Sequence, residues 1–217
     1  MSVTVLVTGF GPFPGAPFNP TEPLVRRIAK LRRPVLAGTK IVVHVFAASY
    51  AAVDRDLPTL LAEHKPDALL MFGLAPRAKT LRVETRARNA MKLLRDVTGY
   101  TPLRGVIAQG GHSTLKIPAP VVALFAAVRG TRIPIVRSHD AGTYLCNYLC
   151  WRVSETGSKS KRPQLAAFIH VPPLHVRSRP RKVTKKRPTL DELARTASLL
   201  LIALVTSARR TPSSFHS

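Results

Sequence analysis

The stretch VTVLVTGFGPFPGAPFNP, residues 3–20, decides how the rest of the chain is read. Val3 to Val7 is an apolar run of the length of a buried strand. It breaks into a loop carrying Gly9, Gly11 and Gly15. A strand entering a Gly-rich turn is how dinucleotide-binding domains begin, because glycines let backbone N–H groups approach a phosphate. The rest of the loop argues otherwise. Pro12, Pro14 and Pro17 each lack the N–H that a phosphate cradle uses. The second strand closes on Val45-Phe46, not on the acid that would hold a ribose. Phe10, Phe13 and Phe18 on a proline-stiffened backbone suit a small, flat, mostly apolar ligand.

Outward from this stretch, short apolar runs alternate with segments of helical spacing. Val3–Thr8, Lys40–Ala47, Ala68–Gly73, Ile133–Arg137 and Leu165–Val171 predict buried strands. Thr21–Leu31, Val53–His64, Ala119–Arg129 and Gly142–Val153 predict helices, and Thr189-Leu-Asp-Glu predicts the capped start of a last helix ending near Ser207. The alternation predicts an α/β fold with a mostly parallel central sheet and helices on both faces. Sites in such sheets collect at the carboxyl ends of the strands. No repeat or boundary divides the chain, so residues 1–210 read as a single domain. Gly157–Arg162 and residues 177–188 read as surface loops, and 211–217 as a disordered tail.

Charge is the unusual feature. Lys and Arg number 34 against 11 Asp and Glu, a formal net charge of +23. Such an excess favours nucleic acid, acidic membranes or acidic proteins as partners. The run RSRPRKVTKKR, residues 177–187, is its densest part, yet has no aromatic on which a base could stack. A solvated loop is the simpler reading. The longest apolar stretch, Leu199 to Val205, is too short to span a bilayer, and Met1-Ser2 enters a strand with no basic leader. A soluble cytoplasmic protein is the expectation.

The chain has two cysteines, Cys146 and Cys150, which share one face of a helix. Their spacing is awkward for a disulfide, and no His or Cys pair lies nearby to complete a metal site. Free thiols in a reducing compartment follow. In SHDAGTYLCNYLCW, residues 138–151, Cys146 falls in the first turns of a helix starting near Asp140-Ala-Gly-Thr. There the positive end of the dipole favours a thiolate. Cys150, between Leu149 and Trp151, reads as core. LAAFIHVPPL, residues 165–174, puts His170 at the carboxyl end of a buried strand, with His175 a rival beyond the prolines. Glu84 is the only acid between Asp67 and Asp96, amid Arg77, Lys79, Arg82, Arg86 and Arg88. It reads either as a carboxylate that orients an imidazole or as a surface ion pair.

Taken together these residues resemble a known family. GFGPF at 9–13 with NPTE at 19–22, G-L-A at 73–75 with Glu84 and Asn89, AGTYLCN at 141–147 and FIHVP at 168–172 are similar to the pyroglutamyl peptidase I, or pyrrolidone carboxyl peptidase, family. Those cysteine peptidases remove an N-terminal pyroglutamate. The resemblance implies Cys146 as nucleophile, His170 as its base and Glu84 as the group orienting that base. It places Phe10, Phe13 and Asn19 against the substrate's lactam ring. It also implies an α/β/α sandwich, no cofactor, no metal, pyroglutamylated peptides as substrates and often an oligomer of two or four subunits.

This chain departs from the family pattern in three places. Gly11 stands where an acid is frequent, and Pro76-Arg77 stand where Gly-Gly is frequent. Leu94 stands where an arginine near the oxyanion is common, so Arg95, one place on, is the candidate for that support. Two other readings fit the same residues. One is a thiol hydrolase of another small cyclic amide. The other is a basic nucleic-acid-associated protein with a vestigial peptidase site.

Overall fold

The computed structural model describes residues 2–160, 163–175 and 187–211. In β1 (Val3–Phe10) the alternation hidden in the apolar run becomes visible. Val3, Val5 and Val7 face one core, whereas Leu6 and Phe10 face another. A strand with both faces covered must be apolar throughout, which is why its sequence shows no polar period.

The elements follow as α1 (Thr21–Ala29), β2 (Thr39–Phe46), α2 (Tyr50–His64), β3 (Ala68–Leu74), β4 (Leu81–Glu84), β5 (Arg86–Arg88), β6 (Thr114–Lys116), α3 (Val121–Ala127), β7 (Ile135–Ser138), α4 (Leu145–Ser160), β8 (Leu165–Val171) and α5 (Leu190–Arg210). The main sheet has six strands in the order β2-β1-β3-β8-β4-β7, and β5 and β6 form a separate antiparallel pair. Every neighbour pair of the main sheet is parallel except β4 with β8. Leu24, Val25 and Ile28 of α1, Leu124 of α3 and Leu193, Leu200 and Leu204 of α5 cover one face. Val53 and Leu57 of α2 and Leu145, Leu149 and Val153 of α4 cover the other. This is the α/β/α sandwich that the sequence implied.

The Gly-rich loop answers its own question. Its N–H groups are engaged internally: Phe10 donates to Thr21 Oγ1 at 2.9 Å, Gly11 to the Phe46 carbonyl at 2.9 Å and Phe13 to the Ala16 carbonyl at 3.2 Å. Gly9 is required by close packing. A Cβ there would stand 2.9 Å from the Thr21 carbonyl oxygen and 3.0 Å from Val25 Cγ2, so α1 could not dock where it does.

Several boundaries differ from expectation. Strands β4, β5 and β6 were not anticipated; in the cation-rich 81–88 stretch, polar residues interrupt the short runs and hide the strands. Gly157 to Ser160, expected in a loop, continue α4. That helix starts at Leu145, not Gly142, whose φ of +84° keeps it out of the helix. Helix α2 starts earlier than expected because Ser49 caps it, accepting the Ala52 N–H at 3.1 Å. For α5 the expected capping box is present, with Thr189 and Glu192 bonding reciprocally. Residues 161–162 and 212–217, and the basic run apart from Arg187, lie outside the described residues.

Candidate active site

Because β4 runs against β8, its first residues lie at the carboxyl end of the parallel strands. Arg82 pairs with His170, and Glu84 with Phe168. The alternation of side chains then puts Glu84 and His170 on the same face, the one covered by α4. Glu84 is fully buried, and its Oε1 lies 2.8 Å from Nδ1 of His170, itself only 6% exposed. Its Oε2 has no hydrogen-bond partner. This is no surface ion pair. A buried carboxylate with one partner is costly unless that partner carries charge.

Helix α4 brings Cys146 to the same cavity as His170, near enough for its charge to act on the imidazole. Burial alone would lower the His170 pKa. The charge of Cys146, together with the hydrogen bond to Glu84 and the Glu84 charge, outweighs it and pushes the value from 6.5 up to about 9. Cys150, one turn deeper, is fully buried, and its thiol is pushed well up by burial first and by Cys146 and Glu84 after it.

The raised His170 value fixes the sign of a stability effect. A proton held more tightly in the folded state stabilises the fold fully below pH 6.5, and that stabilisation is lost as pH rises through about 9. Urea midpoints measured across this window should fall with pH in the wild type, and His170→Gln should flatten the slope. A wild-type midpoint that stays level across the window would contradict the charge pairing.

Cys146 and His170 open onto a cavity of about 350 Å³. Phe10, Phe13, Asn19, Leu74, Pro76, Arg82 and the loop from Asp140 to Tyr144 are among its walls. Phe13 packs near Tyr144, with ring centroids 6.5 Å apart. A larger groove of about 1230 Å³, lined in part by Arg86, Lys116 and Val121, does not reach Cys146 or His170.

The structure thus gathers Cys146, His170, Glu84, Phe10, Phe13 and Asn19 at one place. Asn19 lines the cavity with its polar atoms already engaged. Its Nδ2 donates to the Gly11 carbonyl at 2.9 Å, and its Oδ1 accepts from the N–H and hydroxyl of Thr21. It therefore shapes the loop that carries the phenylalanines. Phe18 is half exposed and is not part of the cavity wall. Arg95 is exposed and is not among the residues that line the cavity, and its carbonyl accepts the Tyr144 hydroxyl at 2.9 Å.

Sequence reasoning missed three participants. Asn147, next to Cys146 in the chain, accepts the Arg88 N–H at 2.8 Å and donates to the carbonyls of Arg88 and Ala90. It pins the start of α4 to β5, and partners that are all backbone leave no mark in the sequence. Arg82 was read only as part of the charge around Glu84. Gly73, opposite His170 on β3, is the third. A Cβ there would fall 2.7 Å from Cys146 Sγ and 2.6 Å from Phe168 Cζ. A shift of about 1 Å in a reacting group costs on the order of 100-fold in rate. Gly73→Ala should therefore lose about that factor in kcat while circular dichroism still reports a folded protein. Full activity would mean that Cys146 has more freedom than the packing allows.

The profile of the family described as Pyroglutamyl peptidase matches residues 3–206. The chain belongs to the pyroglutamyl peptidase family. It is 33% identical over 187 residues to the pyrrolidone-carboxylate peptidase of Thermococcus onnurineus, covering 86% of this chain and 90% of that one. It is 34% identical over 170 residues to the pyrrolidone-carboxylate peptidase of Clavibacter michiganensis, covering 78% of each. Among solved structures, the pyrrolidone carboxyl peptidase of Thermococcus litoralis superposes with a TM-score of 0.85 at 27% identity, covering 99% of both chains. Pyroglutamyl peptidase I of Bacillus amyloliquefaciens gives 0.79 at 26% identity, covering 96% of this chain and 98% of its own. The protein is thus a hydrolase of this family. Among the described residues, no group of three or more His, Cys, Asp or Glu could hold a metal ion, and no helix is long and apolar enough to cross a membrane.

Proposed function

We propose that this protein removes an N-terminal pyroglutamyl residue from peptides through a thioester on Cys146. The observation that carries this reading is the Glu84–His170 hydrogen bond, with His170 and Cys146 side by side in the wall of the Phe-lined cavity. The Cys146 thiolate attacks the carbonyl joining pyroglutamate to the next residue. The His170 imidazolium then gives its proton to the leaving nitrogen as the C–N bond breaks. Water attacks the thioester next, and neutral His170 takes its proton, which restores the imidazolium as the thiolate departs. Glu84 holds the ring at Nδ1 and faces the charge that forms on it. The first-turn N–H groups of α4, which have no partner within the helix, support the oxyanion.

The flat lactam ring fits between Phe10 and Phe13, on the β1 side of the cavity. Specificity then rests on hydrogen bonds to the ring amide, and a site built that way rejects an analogue lacking them by about 10⁴-fold. The test is a panel of fluorescent amides capped with pyroglutamate, proline or a six-membered lactam acid, assayed with reductant. Release from the pyroglutamyl amide alone is expected. Preferential release from the six-membered lactam would favour a hydrolase of another cyclic amide, and none from any member would overturn the reading.

A further inference from the structure

The reading above leaves one charged side chain of the cavity without a role. Arg82 lines the cavity, and among the described residues it forms no ion pair. It lies directly opposite His170 and two residues before Glu84, so it stands on the catalytic face. The sheet order locates it further. Along β1-β3-β8-β4, the loop with Phe10 and Phe13 follows β1, two strands to one side of His170. Arg82 lies one strand to the other side, about 5 Å away.

A substrate whose ring lies on the β1 side, with its scissile carbonyl at Cys146, must direct its leaving residue toward β4. The α-carboxylate of that residue is joined to the leaving nitrogen through a single carbon. It is thus within reach of a guanidinium one strand away. The other acid of the cavity wall does not compete for Arg82, because Asp140 is paired with Arg88 at 2.9 Å and accepts the Gly142 N–H.

We infer that Arg82 is a specificity-determining residue that selects substrates bearing a carboxylate on the first leaving residue. The inference rests on the peptidase reading above. The carboxylate can be the free α-carboxylate of a pyroglutamyl dipeptide or the side chain of an acidic leaving residue. Arginine suits either, since its planar fork meets a carboxylate through two charge-assisted hydrogen bonds.

The test compares kcat/KM for pyroglutamyl-alanine, pyroglutamyl-alaninamide and pyroglutamyl-aspartamide with a free side-chain carboxylate, in wild type, Arg82→Gln and Arg82→Lys. The acid-to-amide ratio for the alanine pair should be about ten in the wild type and about one in Arg82→Gln, with Arg82→Lys between them. The aspartyl substrate shows which carboxylate is read. The wild-type ratio should also shrink with added salt. If neither pyroglutamyl-alanine nor the aspartyl substrate is preferred over pyroglutamyl-alaninamide in the wild type, or if the preference is unchanged in Arg82→Gln, the role of Arg82 is overturned. No hydrolysis of the alaninamide by folded wild type would instead sink the peptidase reading, and this inference with it.

Discussion

Cys146→Ala should reduce amine release from a pyroglutamyl amide to background, a loss of at least about 10⁴-fold, while Cys150→Ala keeps the reaction. The two thiols are one helical turn apart and share a face of α4, yet their surroundings separate them. Cys146 opens to the cavity that His170 also lines. Cys150 is fully buried, and its thiol is pushed up by burial and by the negative groups near it. The expected cost of Cys150→Ala is in packing, about 1 kcal/mol for the atom removed. A single iodoacetamide adduct, mapped by mass spectrometry to Cys146 and blocking activity, would agree. Activity surviving in Cys146→Ala would remove the thioester route altogether.

Glu84→Gln is the second large effect. The side chain keeps its volume in a fully buried site but loses the charge that faces the imidazolium at 2.8 Å. Its amide can also donate to Nδ1, leaving His170 with the wrong tautomer for chemistry at Nε2. A loss of roughly 10³–10⁴-fold in kcat is expected, the size seen when a carboxylate that orients a catalytic histidine becomes an amide. A merely structural role would leave the pH profile in place. Here the residual activity should lose its proton donor at lower pH, because Glu84 is one of the groups that raise the His170 pKa to about 9. Near-wild-type kcat in a folded Glu84→Gln protein would show that the carboxylate only fills space.

These results would test a site whose parts were unequally visible in the sequence. The central strands β1, β3 and β8 were legible because strands covered on both faces are mostly apolar, as residues 3–7, 68–73 and 165–169 are. Cys146 and His170 were legible because each sits at an element end marked locally, one by Asp140-Ala-Gly-Thr and the other by Val171-Pro172-Pro173. Strand β4 was not. It is four residues long, and its alternation of Leu81, Arg82, Val83 and Glu84 carries too little pattern to separate it from a charged loop.

Glu84 shows where the division falls. The sequence by itself determined that a lone acid sits among cations, and left open whether it orients a base or meets solvent. The tertiary structure took it out of solvent, because the antiparallel pairing of β4 with β8 buries that carboxylate beside Nδ1 of His170. The same pairing puts Arg82 in the cavity wall. The sequence therefore determined the layers and marked Cys146 and His170 as candidates, whose signals are local. Which charges meet in the site depends on strand direction and register, set by contacts more than eighty residues apart along the chain, and no local pattern encodes them.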